Sequence, residues 1–186
     1  GESTGVGTPL YAKALVFKQR KSYGALLICD ILTIPRDLSR IVRMQVSDQT
    51  GIPYEHISIT ATHTHAGPAF REAIEKYADH KEAGELTAED EESYVAELIR
   101  GMTEALVSAH EQAQEVKLTA GIGHATDLSF NRRRLMTNGK VGWNPGFQNP
   151  KIVRPAGPLD PDVHFVMFKH VGQENFSASL TVFANH

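Results

Sequence analysis

Cysteine is almost absent from this chain. Cys29 stands alone, which excludes an intrachain disulfide and any fold that depends on one. It closes the apolar run YGALLIC, where a small buried residue is the simplest reading. Nothing near it in sequence would lower its pKa as a nucleophile requires. Charge of one sign is also scarce. The formal net charge is −3, and the basic residues gather nowhere beyond one short triplet. A nucleic-acid partner is therefore not expected, because phosphate recognition needs a basic surface. No apolar run approaches the roughly 18 residues of a membrane-spanning helix. The opening GESTGVGTPLYAKALVF lacks the basic start, apolar centre and small-residue cleavage site of a signal peptide. A leader removed earlier would leave the same sequence, so the compartment stays open. Internal repeats and low-complexity tracts are missing too.

What is present suits an α/β fold with a mixed β-sheet core and flanking helices. The chain has 186 residues and is 41% hydrophobic, enough for a single domain over residues 1–186 with a real core. PLYAKALVFKQ and YGALLICDILTI read as a hairpin of two strands. In PRDLSRIVRMQVSDQTG, Pro35 marks a helix start and Gly51 a stop. Leu38, Ile41, Val42 and Val46 recur at helical spacing between them. HISITAT is the next strand. Residues 70–86 are dense in charge and read as a solvated excursion or lid with a short helix near FREAIEKYADH. TAEDEESYVAELIRGMTEALVSAHEQAQ reads as one long helix, opened by a capping box of Thr87 and Asp90. EVKLTAGIGHA is a strand. Residues 125–160, rich in Asn, Gly and Pro, read as a long loop of the kind that often carries function. DVHFVMFKH and FSASLTVFANH are two closing strands. The abrupt finish of the second suggests a fragment of a larger catalytic domain.

The chemistry concentrates in ISITATHTHAGP, residues 57–68. Side chains two apart on a strand share a face. His63 and His65 therefore point to one side if the strand continues through Thr64. Two imidazoles there could serve one metal, or one could bind metal while the other moves protons. Gly67 and Pro68 would turn the backbone past the site and leave space for a ligand. His186 also follows a strand end and could add a second ligand. Alone, each is equally an ordinary histidine. Arg132, Arg133 and Arg134 form the basic triplet, and a guanidinium can hold an oxyanion or carboxylate. Adjacent residues cannot all face one site, so one or two at most would act; a solvated basic loop is the bland alternative. Asp30, after a buried strand, is either an active-site carboxylate or a helix cap ahead of Pro35. His56, His80, His110, His124, His164 and His170 read as structural, and Ser58 and Thr60 as β-formers.

Five segments, LYAKALVF, ISITATHTHAGP, SFNRRRLM, GPLDPDVHFVMF and LTVFANH, occur in the order found in the neutral, non-lysosomal ceramidase family. The chain resembles the N-terminal catalytic part of a divergent bacterial member, with Ala66 where the family motif has Ser. The resemblance implies a zinc-dependent amidase that hydrolyses ceramide to a fatty acid and sphingosine. It implies that His63 and His186 ligate Zn2+, that His65 is a catalytic hydrogen-bonding or proton-transfer residue, and that Arg132 lies near the substrate. The family's remaining zinc ligands, a glutamate and a tyrosine, fall further along than His186. Residues 1–186 alone are accordingly expected to be inactive or nearly so. A secreted or periplasmic protein acting on a lipid amide, with peripheral contact to a membrane surface, is the corresponding expectation. A ligand-binding module that kept the fold but lost the chemistry, or a metal-dependent ester or phosphoester hydrolase, are the alternatives.

Overall fold

Residues 5–184 are described in the computed structural model, and the chain divides into two compact units, Gly1–Ala113 and Gln114–His186. Each is taken by itself.

The first unit begins with the expected hairpin. Strand β1 (Ala12–Gln19) pairs antiparallel with β2 (Ser22–Cys29), from Ala12 opposite Cys29 to Gln19 opposite Ser22. Arg20 takes a left-handed φ of 56° in the two-residue turn, the backbone that matches the twist of flanking strands. Helix α1 (Arg36–Thr50) follows and ends at Gly51, whose φ of 72° lets its N–H return to the Ser47 carbonyl. After a single 3-10 turn at Tyr54–His56, β3 (Ile57–Ala61) pairs parallel with β2, giving the order β1-β2-β3. Parallel neighbours need a long crossover, and α1 supplies it. The core gathers Ala25, Leu27 and Cys29 from alternate positions of β2 with Leu38, Ile41, Val42 and Val46 of α1. Each fully buried Leu, Ile, Val or Met contributes ~1.5–3 kcal/mol.

Residues 70–86 are not a solvated excursion. They form α2 (Arg71–Ala83), which buries Ile74, Tyr77 and Ala78 and packs on α1. Its charged residues occupy the outer faces of a docked helix. The long helix expected after it is two helices. The capping box of Thr87 and Asp90 is present, but α3 (Ala88–Glu91) lasts four residues. Ser93 then leaves helical backbone and its hydroxyl caps α4 (Tyr94–Glu111) by accepting the Ala96 N–H at 3.2 Å. Helix α4 lies against α1, β1 and β2 and buries Val95, Ile99, Met102, Thr103 and Leu106. Among the described residues no helix is long and apolar enough to cross a membrane.

The second unit holds two antiparallel sheets. In one, β8 (Asp162–His170) lies between β4 (Val116–His124) and β9 (Ala178–Phe183). Gly121 faces Phe165 across the ladder, and a Cβ there would come within 2.5 Å of the ring; the missing side chain makes room for the aromatic. The other sheet corrects the expected long loop. Residues 125–160 contain β5 (Arg133–Met136), β6 (Val141–Trp143) and β7 (Ile152–Pro155), in the order β6-β5-β7. Pro155 sits on an edge strand, where a missing N–H is tolerated.

Candidate metal and amide site

The carboxyl ends of β2 and β3 build the first part of the site. Their parallel pairing finishes with Cys29 opposite Ala61, so Asp30 and Thr62 leave the sheet side by side. They remain joined. The Thr62 hydroxyl donates to Asp30 Oδ1 at 3.1 Å, and the Thr62 N–H donates to the Cys29 carbonyl at 2.9 Å. Asp30 Oδ2 accepts the Tyr11 N–H at 3.1 Å, and the Asp30 N–H donates to the Tyr11 carbonyl at 2.9 Å. One carboxylate thus ties the start of β1 to the segment leaving β3. Asp30 does not cap α1: the helix starts at Pro35 with no side-chain cap bond.

His63 comes next, and here the strand argument fails. β3 ends at Ala61, and His63 has a left-handed φ of 61°. Alternation along a strand is not what unites the two histidines. The turn at His63 does it, leaving the His63 and His65 rings edge to face with centroids 5.1 Å apart. A left-handed backbone costs an L-residue about 1–2 kcal/mol and persists only where surroundings over-determine it. His63 Nδ1 lies 2.8 Å from the Leu32 carbonyl oxygen. A carbonyl only accepts, so Nδ1 carries the proton and the neutral ring has its lone pair on Nε2. Metal-binding imidazoles are oriented by such a bond on the far nitrogen. The ring therefore fits the zinc role. Gly67 folds back onto Leu10 and the Asp30 carbonyl, where a Cβ would meet ordinary contacts at 3.6 and 3.7 Å. This glycine lies beside the residues that flank β1 and β2.

The Cys29 thiol beside this cradle is buried, and its pKa is pushed up to about 12, first by desolvation and then by the Asp30 charge. It is a packing residue, as expected. Among the described residues no three His, Cys, Asp or Glu side chains gather as a metal cluster. His186, the expected second zinc histidine, lies outside the described residues.

Arg132 belongs to the second unit. Its guanidinium carbon stands 4.7 Å from the centroid of the Trp143 ring, with that of Arg133 at 5.8 Å. Arg134 turns instead to Phe130, at 5.7 Å. Arg132 and Arg133 line a cavity of about 400 Å³ that also takes in Trp143, Asn131 and Ser129. The Ser129 hydroxyl oxygen is shielded from solvent and has no hydrogen-bond partner among the described residues. Stacking holds a guanidinium in place at a gain of about 0.5–1 kcal/mol when exposed. Other histidines make local bonds: His56 Nδ1 to the Tyr23 carbonyl at 2.9 Å, His80 to Asp90 at 2.8 Å, His124 to Asp162 at 2.7 Å.

The model of the neutral/alkaline non-lysosomal ceramidase family, N-terminal part, matches residues 1–186, the whole chain. The chain belongs to that family. Two solved structures share the fold of this ceramidase-family chain. One is described as a ceramidase complexed with C2, with a TM-score of 0.62 at 19% identity over 92% of this chain and 25% of that one. The other is a neutral ceramidase from Pseudomonas aeruginosa, with a TM-score of 0.62 at 18% identity and the same two coverages. The chain spans about a quarter of the length of the structures it matches. No curated protein sequence matches it. Two features of this region were read incompletely from sequence. Of the two roles weighed for Asp30 the helix cap is excluded, and Trp143 was passed over inside an apparent loop. The signal for Asp30 was its place one residue past a buried strand that pairs with the histidine strand. For Trp143 it was being the only tryptophan in the chain.

Proposed function

We propose that this ceramidase-family chain carries part of the active site of a zinc-dependent amidohydrolase. The substrate is the N-acyl amide bond of ceramide or a related N-acyl lipid, met at a membrane surface by a secreted or periplasmic bacterial protein. Residues 1–186 serve as the N-terminal part of one catalytic domain, and His63 and His186 hold the metal. The observation that supports this most is the His63 ring: strained backbone, a fixed tautomer, and a second imidazole edge to face with it. Zn2+ bound there supplies a Lewis acid and a water acidified toward neutrality. His65 donates a hydrogen bond to the carbonyl oxygen as it gains charge, or passes a proton to the departing nitrogen. Arg132, beside the Trp143 ring, offers positive charge to the developing oxyanion or to the carboxylate product.

The test is a comparison of metal content and turnover in the whole protein. His63→Ala should lose both zinc and hydrolysis of N-acyl lipids. Arg132→Ala should keep zinc and lose roughly 10²–10³ in kcat, the usual cost of one oxyanion donor. A panel of N-acyl lipids, esters and phosphoesters fixes the bond class. Full metal content and full rate in His63→Ala would overturn the proposal, as would turnover confined to phosphoesters.

A further inference from the structure

We infer that Asp30 is a positioning residue for the metal-binding imidazole. Through the Thr62 hydroxyl, its carboxylate holds the chain in the left-handed turn that aims His63. This rests on the zinc reading above. A non-glycine residue at φ 61° relaxes to extended backbone unless it is pinned from both sides. The main-chain pin is Thr62, bonded at its N–H to the Cys29 carbonyl and at its hydroxyl to Asp30 Oδ1. The side-chain pin is the Leu32 carbonyl on His63 Nδ1. All three acceptors come from residues 29–32, so one short segment sets both the backbone and the ring of His63.

Asp30 itself cannot swing. Its second oxygen accepts the Tyr11 N–H, and its own N–H is bonded to the Tyr11 carbonyl. With both oxygens taken by protein donors, the carboxylate is built as a buttress. Chemically this is the outer-shell support that metal-ligating histidines need, delivered here to the backbone as well as to the ring.

The experiment measures Zn2+ affinity of the whole protein against a chromophoric chelator. It is accompanied by thermal midpoints and by ring-nitrogen NMR of His63 in the metal-free state. Asp30→Ala and Thr62→Val should each weaken Zn2+ binding by 10–100-fold, the usual cost of an outer-shell partner, or roughly one to two decades. The double variant should be no weaker than Asp30→Ala, because Thr62→Val removes only a bond that Asp30→Ala has already broken. Asp30→Asn and Thr62→Ser should recover most of the affinity. The Asn carbonyl can still accept from Tyr11 while its amide donates to the Thr62 oxygen, and Ser keeps the hydroxyl. In Asp30→Ala the metal-free His63 ring should also lose its fixed Nδ1–H tautomer. Lowered thermal midpoints with unchanged Zn2+ affinity and unchanged tautomer would overturn the inference, leaving Asp30 a structural tie only. His63→Ala separates the two claims. If it binds Zn2+ like wild type, the zinc reading falls, and the tautomer alone decides whether Asp30 positions the ring.

Discussion

Replacing His63 by glycine should leave the protein more stable than replacing it by alanine. Both substitutions remove the imidazole and its bond to Leu32, so the difference between them isolates the backbone. At φ 61° alanine keeps the left-handed penalty, about 1–2 kcal/mol for an L-residue. Glycine escapes it but loses more chain entropy on folding, a disadvantage of roughly 0.5–1 kcal/mol. At the middle of both ranges the balance favours glycine by roughly 0.75 kcal/mol. At an ordinary extended position only the entropy difference remains and alanine leads by the same amount, so the two expectations differ in sign. Urea unfolding followed by helical circular dichroism reads the right unit, since every helix among the described residues lies before Ala113. For a chain of this size a 1 kcal/mol gap moves the thermal midpoint by about 2–4 °C. An alanine variant equal to or above the glycine variant would refute the strained turn. It would also remove the reason for a buttress at Asp30.

Three further outcomes follow from the first unit. The Asp90 carboxyl is held below the usual range by hydrogen bonds from His80 first and then from the Thr87 N–H and hydroxyl. A depressed folded pKa stabilises above the ordinary carboxyl pKa and is lost on acidification. The advantage of wild type over Asp90→Asn in urea midpoint should be constant near neutrality and shrink below about pH 4; an advantage that grows on acidification would contradict the bonds. Cys29, buried with its pKa pushed up to about 12, should react with a thiol reagent at pH 8 only after denaturant is added, and rapid native-state labelling would contradict its burial. Leu106→Ala opens a cavity beneath α4, where the side chain is fully buried. It should cost about 2–5 kcal/mol, read from urea unfolding, and a loss well below this would mean that the core closes around the gap.

The sequence made some of these elements legible and hid others for physical reasons. Helix α1 was readable because Leu38, Ile41, Val42 and Val46 all bury and Gly51 stops the helix with a left-handed turn. The hairpin was readable because β2 alternates buried residues up to Cys29. The short helix read near FREAIEKYADH is present as α2, but its docking was obscured because only Ile74, Tyr77 and Ala78 of its thirteen residues bury, too sparse a stripe to stand out from the charge around it. Strands β5, β6 and β7 have three or four residues each, and so short a run shows no period. The two histidines do come together, though through the turn at His63 and not through strand alternation. A positive φ at a non-glycine residue leaves no mark in composition or spacing. The bond from Thr62 to Asp30 depends on the parallel register of β2 and β3, which is settled by packing between segments far apart in the chain.

That parallel register has a consequence for how the protein can change. The two strands end level, and the residues with chemical interest sit just beyond them, in the segments that leave Cys29 and Ala61. The side chains of β2 that meet α1 lie before that line, and Ile31 and Phe70 just past it extend the same buried layer. Segments beyond a strand end can lengthen or vary while the buried layer stays intact. Exposed positions such as Thr33, Ala66 and Ala69 are therefore open to change, whereas Ile31 and Phe70 belong to the buried layer and Asp30 and Thr62 hold the turn.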